Sequence, residues 1–491
     1  MDVGELLGQL AVLDVQLTIQ GDDLAFDAPE EVLTKELAAQ LTMHKQEILR
    51  YLDDESLRLV ERTGPATPIQ RQVALRHDAA PRPEVWNVPV RVDLSGTLDV
   101  AALVGSLTQL VKRHQVLRTR FAWLGEVLAQ QVLRFERLNI ITTDLRDPVS
   151  TRDEISAALD QWCTEIAHIP FSLLSDASMR VGLARSGPDQ WTLILLQHHI
   201  LTDAVSVSAL LADLSSLYRK IVRGGRIDED SPEQFIDYVR RNTGDASKAA
   251  TAHWHEQLVG ARAGVRLPFP KARPLLPSGA GRLVCHRLGD ALRAELSQTA
   301  HRAGVTVFTV AFTRLLSILS SNNDVLITRS FANRSDSAAE ILPGLFTNPL
   351  PIRVRFAQEE TVGSLLRAVA RQISSALDHQ ELPQPLVRAL DRRLVTAVEG
   401  GTVVGFSMNH DVSEDLELPG VEAKVLDVPI DAARTDLMVV CVEEQEGLVL
   451  QVEYSTDVLD EQTVSAWLAR FENPLCSVDA SFPAPIAQWV A

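Results

Sequence analysis

The stretch Trp191-Thr-Leu-Ile-Leu-Leu-Gln197-His198-His199-Ile-Leu-Thr-Asp203-Ala204 decides how the chain is read. Residues 191–196 are almost wholly apolar and predict a buried strand. Behind them Val207, Leu210, Leu211, Leu214, Leu217, Tyr218 and Ile221 recur at helical spacing. The two imidazoles therefore stand at a strand-to-helix corner. Successive side chains leaving a strand point to opposite sides, so one histidine can face a cavity while its neighbour turns back into the scaffold. Asp203, immediately before the helical run, is placed to cap it whatever else it does.

Around that corner the 491 residues carry an ordinary globular composition, 46% hydrophobic and 23% charged, long enough for about three domains. With 65 acidic against 47 basic residues the formal charge is −18. Such a balance argues against nucleic acid or an anionic membrane as principal partner, because phosphate binding needs clustered Lys and Arg. The four cysteines, Cys163, Cys285, Cys441 and Cys476, are scattered without metal-ligand spacing and predict reduced thiols. The opening MDVGELLGQL has no secretion-signal pattern, and no run approaches the ~20 apolar residues of a membrane span, so a cytoplasmic location is expected.

Residues 1–56 predict a small helix–hairpin–helix–helix unit. Leu6, Leu7, Leu10 and Leu13 suit a helix, Val15, Leu17 and Ile19 alternate, Leu24 and Phe26 begin a return strand, and Thr34 is placed to cap a further helix. So thin a core is commonly stabilised by a partner or by oligomerisation. Residues 57–66 read as a polar linker, 67–240 as a first lobe and 241–491 as a second. In both lobes helices alternate with strands, which indicates an α/β (α+β) architecture. In the second, helices are expected at 305–320 and 362–378, with strands near 325–332, 350–356, 403–411, 437–444 and 448–456.

HHILTDA (198–204) resembles the HHxxxDG motif of condensation domains from nonribosomal peptide synthetases, relatives of chloramphenicol acetyltransferase. Further elements follow in order: RHQVLRTRF (113–121), FIDYV (235–239), LPGLFTNPLPIRV (342–354), HQELPQPLV (379–387) and EYSTDVLD (453–460). The resemblance implies two similar lobes in a V with a tunnel between them. It implies His199 as the working imidazole, with His198 beside it and Asp203 holding the site together.

Two departures stand out. Ala204 replaces the motif glycine, and in TPIQRQV (67–73) Gln72 replaces an arginine thought to anchor the motif aspartate. Arg334, in FANRSD, is the candidate to take over that role. Ala204, Asn409 and Gly344 are the expected substrate contacts.

The unit at 1–56 resembles the tubulysin-type (TubC) N-terminal docking domain, through LLGQL, VQLTIQGDDLAFDAP (15–29) and LTKELAAQLTMHKQEILRYL (33–52). That resemblance implies a homodimer receiving the C-terminal tail of an upstream synthetase as an added strand beside residues 15–29. Asp22, Asp23 and Asp27 would favour a basic tail. A helical appendage that merely covers the larger unit is the alternative.

The chemistry implied is amide formation between a carrier-bound acyl or peptidyl thioester and an amine, most simply an aminoacyl group on a second carrier. Positioning alone is worth effective molarities up to about 10⁵ M or more, and a placed base adds about 10²- to 10⁴-fold. His199 needs only to be neutral and to hydrogen-bond the amine, and a helix N-terminus disfavours imidazolium. No bound cofactor and no metal are expected, since adjacent histidines diverge. Both substrates would arrive on phosphopantetheine arms of donor and acceptor carrier proteins. Ester formation, a catalytically weakened platform binding carriers or tailoring enzymes, and a free-standing acyltransferase with a soluble acceptor remain alternatives.

Overall fold

The computed structural model describes residues 2–20, 23–29, 32–53, 59–147, 149–177, 179–227, 232–242, 247–261, 265–288, 307–357, 359–390, 404–410, 416–444, 447–475 and 485. Four sheets organise them.

The N-terminal unit consists of α1 (Val3–Val12), β1 (Gln16–Gln20), β2 (Asp23–Asp27), α2 (Lys35–Met43) and α3 (Lys45–Leu52). Asp2 and Glu5 form a capping box on α1, and the Thr34 hydroxyl accepts the Leu37 amide at the start of α2. The thin core predicted for this unit is completed from outside it. Leu6, Leu7, Leu10, Leu37, Leu41 and Ile48 share one cluster with Leu124 and Ala129 of the following unit.

β3 (Val60–Pro65) lies within the stretch expected to be a linker. It is instead a strand, paired antiparallel with β6 (Val127–Leu133), which in turn pairs with β5 (Thr119–Leu124). The polar side chains that suggested a connector are satisfied across the strand. The Gln16 amide group bonds both the N–H and the C=O of Thr63, and Arg62 pairs with Asp237. Pro65 is tolerated because it ends the strand.

The five-stranded sheet has the order β14-β4-β9-β8-β7, with β4 at Asn87–Gly96, β7 at Ile140–Asp144, β8 at Met179–Gly187, β9 at Gln190–His198 and β14 at Val421–Leu426. β9 is central and buried on both faces. Leu193 and Leu195 pack with α5 (Val100–Arg113) and α7 (Ala204–Val222), whereas Ile194 and Leu196 pack with α6 (Arg152–Ala167). That is why the run read as uniformly apolar.

The edge strand β14 (Val421–Leu426) comes from the half of the chain assigned to the second lobe, yet pairs with β4 from Val421 opposite Gly96 to Leu426 opposite Arg91. A division at 240/241 therefore does not separate the sheets. Gly96 (φ +127°) makes this edge possible, since a Cβ there would lie 2.4 Å from the Gly420 carbonyl oxygen.

The six-stranded sheet runs β10-β16-β15-β13-β11-β12, with β10 at Gly281–Arg287, β11 at Asp324–Phe331, β12 at Asn348–Arg355, β13 at Val404–His410, β15 at Leu437–Glu444 and β16 at Gly447–Ser455. Helices α8 (Phe235–Asn242) and α9 (Lys248–Leu258) precede it. Helices α10 (307–320), α11 (Val362–Leu377), α12 (Gln384–Ala389) and α13 (Glu461–Leu475) accompany it. Its core joins Phe308, Phe312, Phe406, Trp254 and Phe471.

Candidate active site

The corner after β9 separates the two imidazoles. His198 follows Ile194 and Leu196 on the α6 face and is 0% exposed. Its Nδ1 accepts the Ile200 amide at 3.1 Å, so Nε2 carries the proton and donates to His77 Nδ1 at 3.2 Å. Phe171 and His77 meet its ring edge-on. Burial, then the neighbouring imidazoles, push its pKa well down. Both nitrogens are occupied, so His198, expected beside His199 among the reacting groups, fastens the corner to α4 (Pro68–Ala79) instead.

His199 opens the short 3₁₀ turn His199–Leu201 and lines a cavity of about 370 Å³. Its Nδ1 lies 3.0 Å from the Thr202 carbonyl oxygen, which can only accept. The proton is thus on Nδ1 and the lone pair on Nε2, which has no partner among the described residues. The ring stacks on Trp86, 6.2 Å away and tilted by 20°. Burial and then the charge of Arg434 lower the pKa of His199 to about 4, outweighing the opposing pull of the Thr202 carbonyl and Asp203. Beside the helix terminus invoked from sequence stand two causes, burial and a cation, that only folding brings near.

Asp203 is 5% exposed and is the N-cap of α7. Oδ1 accepts the Ser206 amide (2.9 Å), the Ser206 hydroxyl (2.7 Å) and Arg334 Nη2 (2.8 Å). Oδ2 accepts the amides of Phe346 (3.1 Å) and Thr347 (3.2 Å). Arg334 also donates to the carbonyls of Ala339 and Leu342 and lies 4.1 Å over the Phe346 ring. Gln72, at the position where the motif has arginine, lines the cavity, while Arg71 stacks on Trp123.

Of the expected substrate contacts, Ala204 lines the cavity. Gly344 does not. Its amide and carbonyl both lie within hydrogen-bond reach of the Ser206 hydroxyl, and an added Cβ would meet Phe235 at 2.1 Å. Glycine is there for close packing beneath the Asp203 cap. Asn409 is near the end of β13, and its side chain lies outside the described residues.

Both halves of the chain build the cavity wall. Ile69, Val73, Arg76 and Trp86 face Thr328, Ser330, Arg388, Ser407 and Arg434. Sequence reasoning missed His77, Trp86 and Arg434. Trp86 had one usable signal: it directly precedes β4, whose first residue, Asn87, pairs with His198. The other two are placed by contacts far along the chain.

The family model described as Condensation domain matches residues 60–488. The chain belongs to the condensation-domain family. Residues 3–54 match the TubC N-terminal docking domain. Over 417 residues, 82% of this condensation-domain chain, identity to malpinin synthetase of Mortierella alpina is 30%. Over 418 residues, 81% of the chain, identity to isonitrile lipopeptide synthase of Mycobacterium tuberculosis is 29%. The chain spans 5% of the length of the first of these relatives and 16% of the second.

Among solved structures, the X-domain from teicoplanin biosynthesis aligns with TM-score 0.72 and 22% identity, covering 86% of this chain and 96% of that one. The starter condensation domain of rhizomide synthetase RzmA gives 0.72 and 19%, with the same coverage. At these identities the likeness concerns the fold. Among the described residues no helix is long and apolar enough to cross a membrane.

Around the hairpin, Asp22 lies outside the described residues. Asp23 is paired with Lys45, which lowers its pKa, while Asp27 is exposed.

Proposed function

We propose that the chain joins a carrier-bound acyl or peptidyl thioester to an amine, with His199 Nε2 as the group that accepts a hydrogen bond from the attacking nitrogen. The observation that carries this reading is the orientation of one neutral imidazole. Its proton is held on Nδ1 by the Thr202 carbonyl while the ring borders a cavity walled by both halves of the chain. A pKa near 4 makes it a weak proton store but an always available acceptor at neutral pH. Most of the rate is then assigned to positioning amine and thioester together, the proton leaving with the thiolate or through water.

Both substrates would come on phosphopantetheine arms, and the tail of an upstream synthetase would add a strand beside residues 15–29. With Asp23 already paired to Lys45, Asp27 is, among the described acids of the hairpin, the one left to favour a basic tail.

Incubation of His199→Ala with loaded donor and acceptor carriers, read by intact mass, tests the assignment. A loss of about 10²-fold or more is expected, and near-normal product would remove His199 from the reaction.

Ala204 supports a second reading. Its methyl group adds to the cavity wall beside His199 and Asp203, as expected of a platform that binds carriers without joining their cargo. Carrier binding without product across several substrate pairs, with activity restored by Ala204→Gly, would favour it.

A further inference from the structure

Among the described residues three arginines reach the cavity wall: Arg76, Arg388 and Arg434. Arg434 has a carboxylate, since its amide donates to Glu453 Oε1 at 3.0 Å and its Nη2 is 3.6 Å from Oε2. Arg76, in the last turn of α4, and Arg388, in α12, have no hydrogen bond or ion pair among the described residues. Their two helices pack against each other, one from each half of the chain, so the two guanidiniums face a common space. Arg76 keeps solvent access and Arg388 is half-buried, so a ligand can reach both. Desolvation and then the charge of Arg388 hold Arg76 below the ordinary arginine value. In a chain with 65 acidic and 47 basic residues, two adjacent arginines without a carboxylate among the described residues, beside a mostly apolar cavity, are suited to binding an anion.

We propose that Arg76 and Arg388 bind a carboxylate carried by the substrate, which makes the chain selective for an acidic acyl or aminoacyl group. This rests on the condensation reading of the same cavity. A planar carboxylate accepts paired hydrogen bonds from a guanidinium fork, and two forks from opposite halves would clamp it.

The phosphate of a carrier arm is the competing anion. Arg76 and Arg388 line the same cavity of about 370 Å³ as His199. A pantetheine arm separates its phosphate from its thioester by its whole length, whereas a carboxylate on the acyl chain lies a few bonds from the thioester. The cavity shared with His199 therefore favours the carboxylate.

The test is equilibrium binding of succinyl-pantetheine, butyryl-pantetheine and butyryl-phosphopantetheine to the full chain. Wild type should bind the succinyl thioester about tenfold or more tightly than the butyryl one. The double variant Arg76→Gln/Arg388→Gln should lose that advantage while keeping its melting temperature. Should it fail to fold, Arg76→Lys, which keeps the charge and loses the fork, must lose part of the advantage.

Equal binding of the two pantetheines by wild type, or an advantage that survives in the variants, overturns the proposal. So does an advantage confined to butyryl-phosphopantetheine, which would assign the arginines to the arm. Because binding needs no turnover, succinyl selectivity without product from any carrier pair would overturn the condensation reading instead.

Discussion

Arg334 Nη2 lies 2.8 Å from Asp203 Oδ1, an ion pair between residues 131 apart whose side chains are both almost fully buried. It joins the start of α7, which sets the corner carrying His199, to the segment leading into β12. The carboxylate also takes the Phe346 and Thr347 amides, so the pair holds the two halves in register around the cavity.

Breaking such a pair leaves a buried charge uncompensated, which costs about 3–5 kcal/mol. Arg334→Ala should therefore lower unfolding stability by that order and take activity with it. A double-mutant cycle with Asp203→Asn should give a coupling of about 1–3 kcal/mol. Additive effects in denaturant melts would show that the pair does not act as a unit.

The pH dependence follows from His199. Unfolded histidine binds its proton near pH 6.5, whereas the folded ring resists until about pH 4. Between those values the unfolded state holds more protons, so stability falls as the pH drops through the window and is insensitive to this group above it. His198 and His77 are displaced in the same direction. Removing His199 should flatten the stability–pH slope by up to about 1.4 kcal/mol per pH unit there. An unchanged slope for His199→Ala in urea melts between pH 6.5 and 4 would contradict this. In the reaction itself, no acid limb from His199 is expected near pH 6.5.

Gly344 separates packing from substrate contact. A methyl group there overlaps Phe235, so Gly344→Ala should destabilise by about 1–3 kcal/mol. Its substrate KM should stay near the wild-type value at temperatures where it is folded. A changed KM with unchanged melting temperature would return this residue to the cavity wall.

Gly8 tests the seam between the N-terminal unit and the rest. Alanine in a helix interior gains about 1 kcal/mol over glycine, but its Cβ would stand 2.6 Å from the Leu124 carbonyl oxygen. Overpacking against backbone costs about 1–3 kcal/mol, so the clash should win. Gly8→Ala should melt lower and speed amide exchange in α1. A higher melting temperature would mean that α1 does not pack tightly on β5 and β6.

Local patterning carried much of this protein. The apolar run before Gln197 is β9, the spaced apolar residues behind it are α7, and Asp203 caps that helix. The expected elements of the second half appear within a few residues as α10, β11, β12, α11, β13, β15 and β16, because each has a strong period of its own. The motif residues could also name Arg334 as a partner for Asp203. Where one strand leans on another unit, local pattern misled: β3 read as a linker, and β14 was assigned to the half it leaves.

The sequence by itself determined the strand-to-helix corner, its two imidazoles and the capping carboxylate, since these depend on neighbours within a turn or two. Only the tertiary structure decided which imidazole faces the cavity and what lowers its pKa. Those depend on His77, Trp86, Arg434 and the apolar walls, groups far away along the chain whose approach no local periodicity encodes.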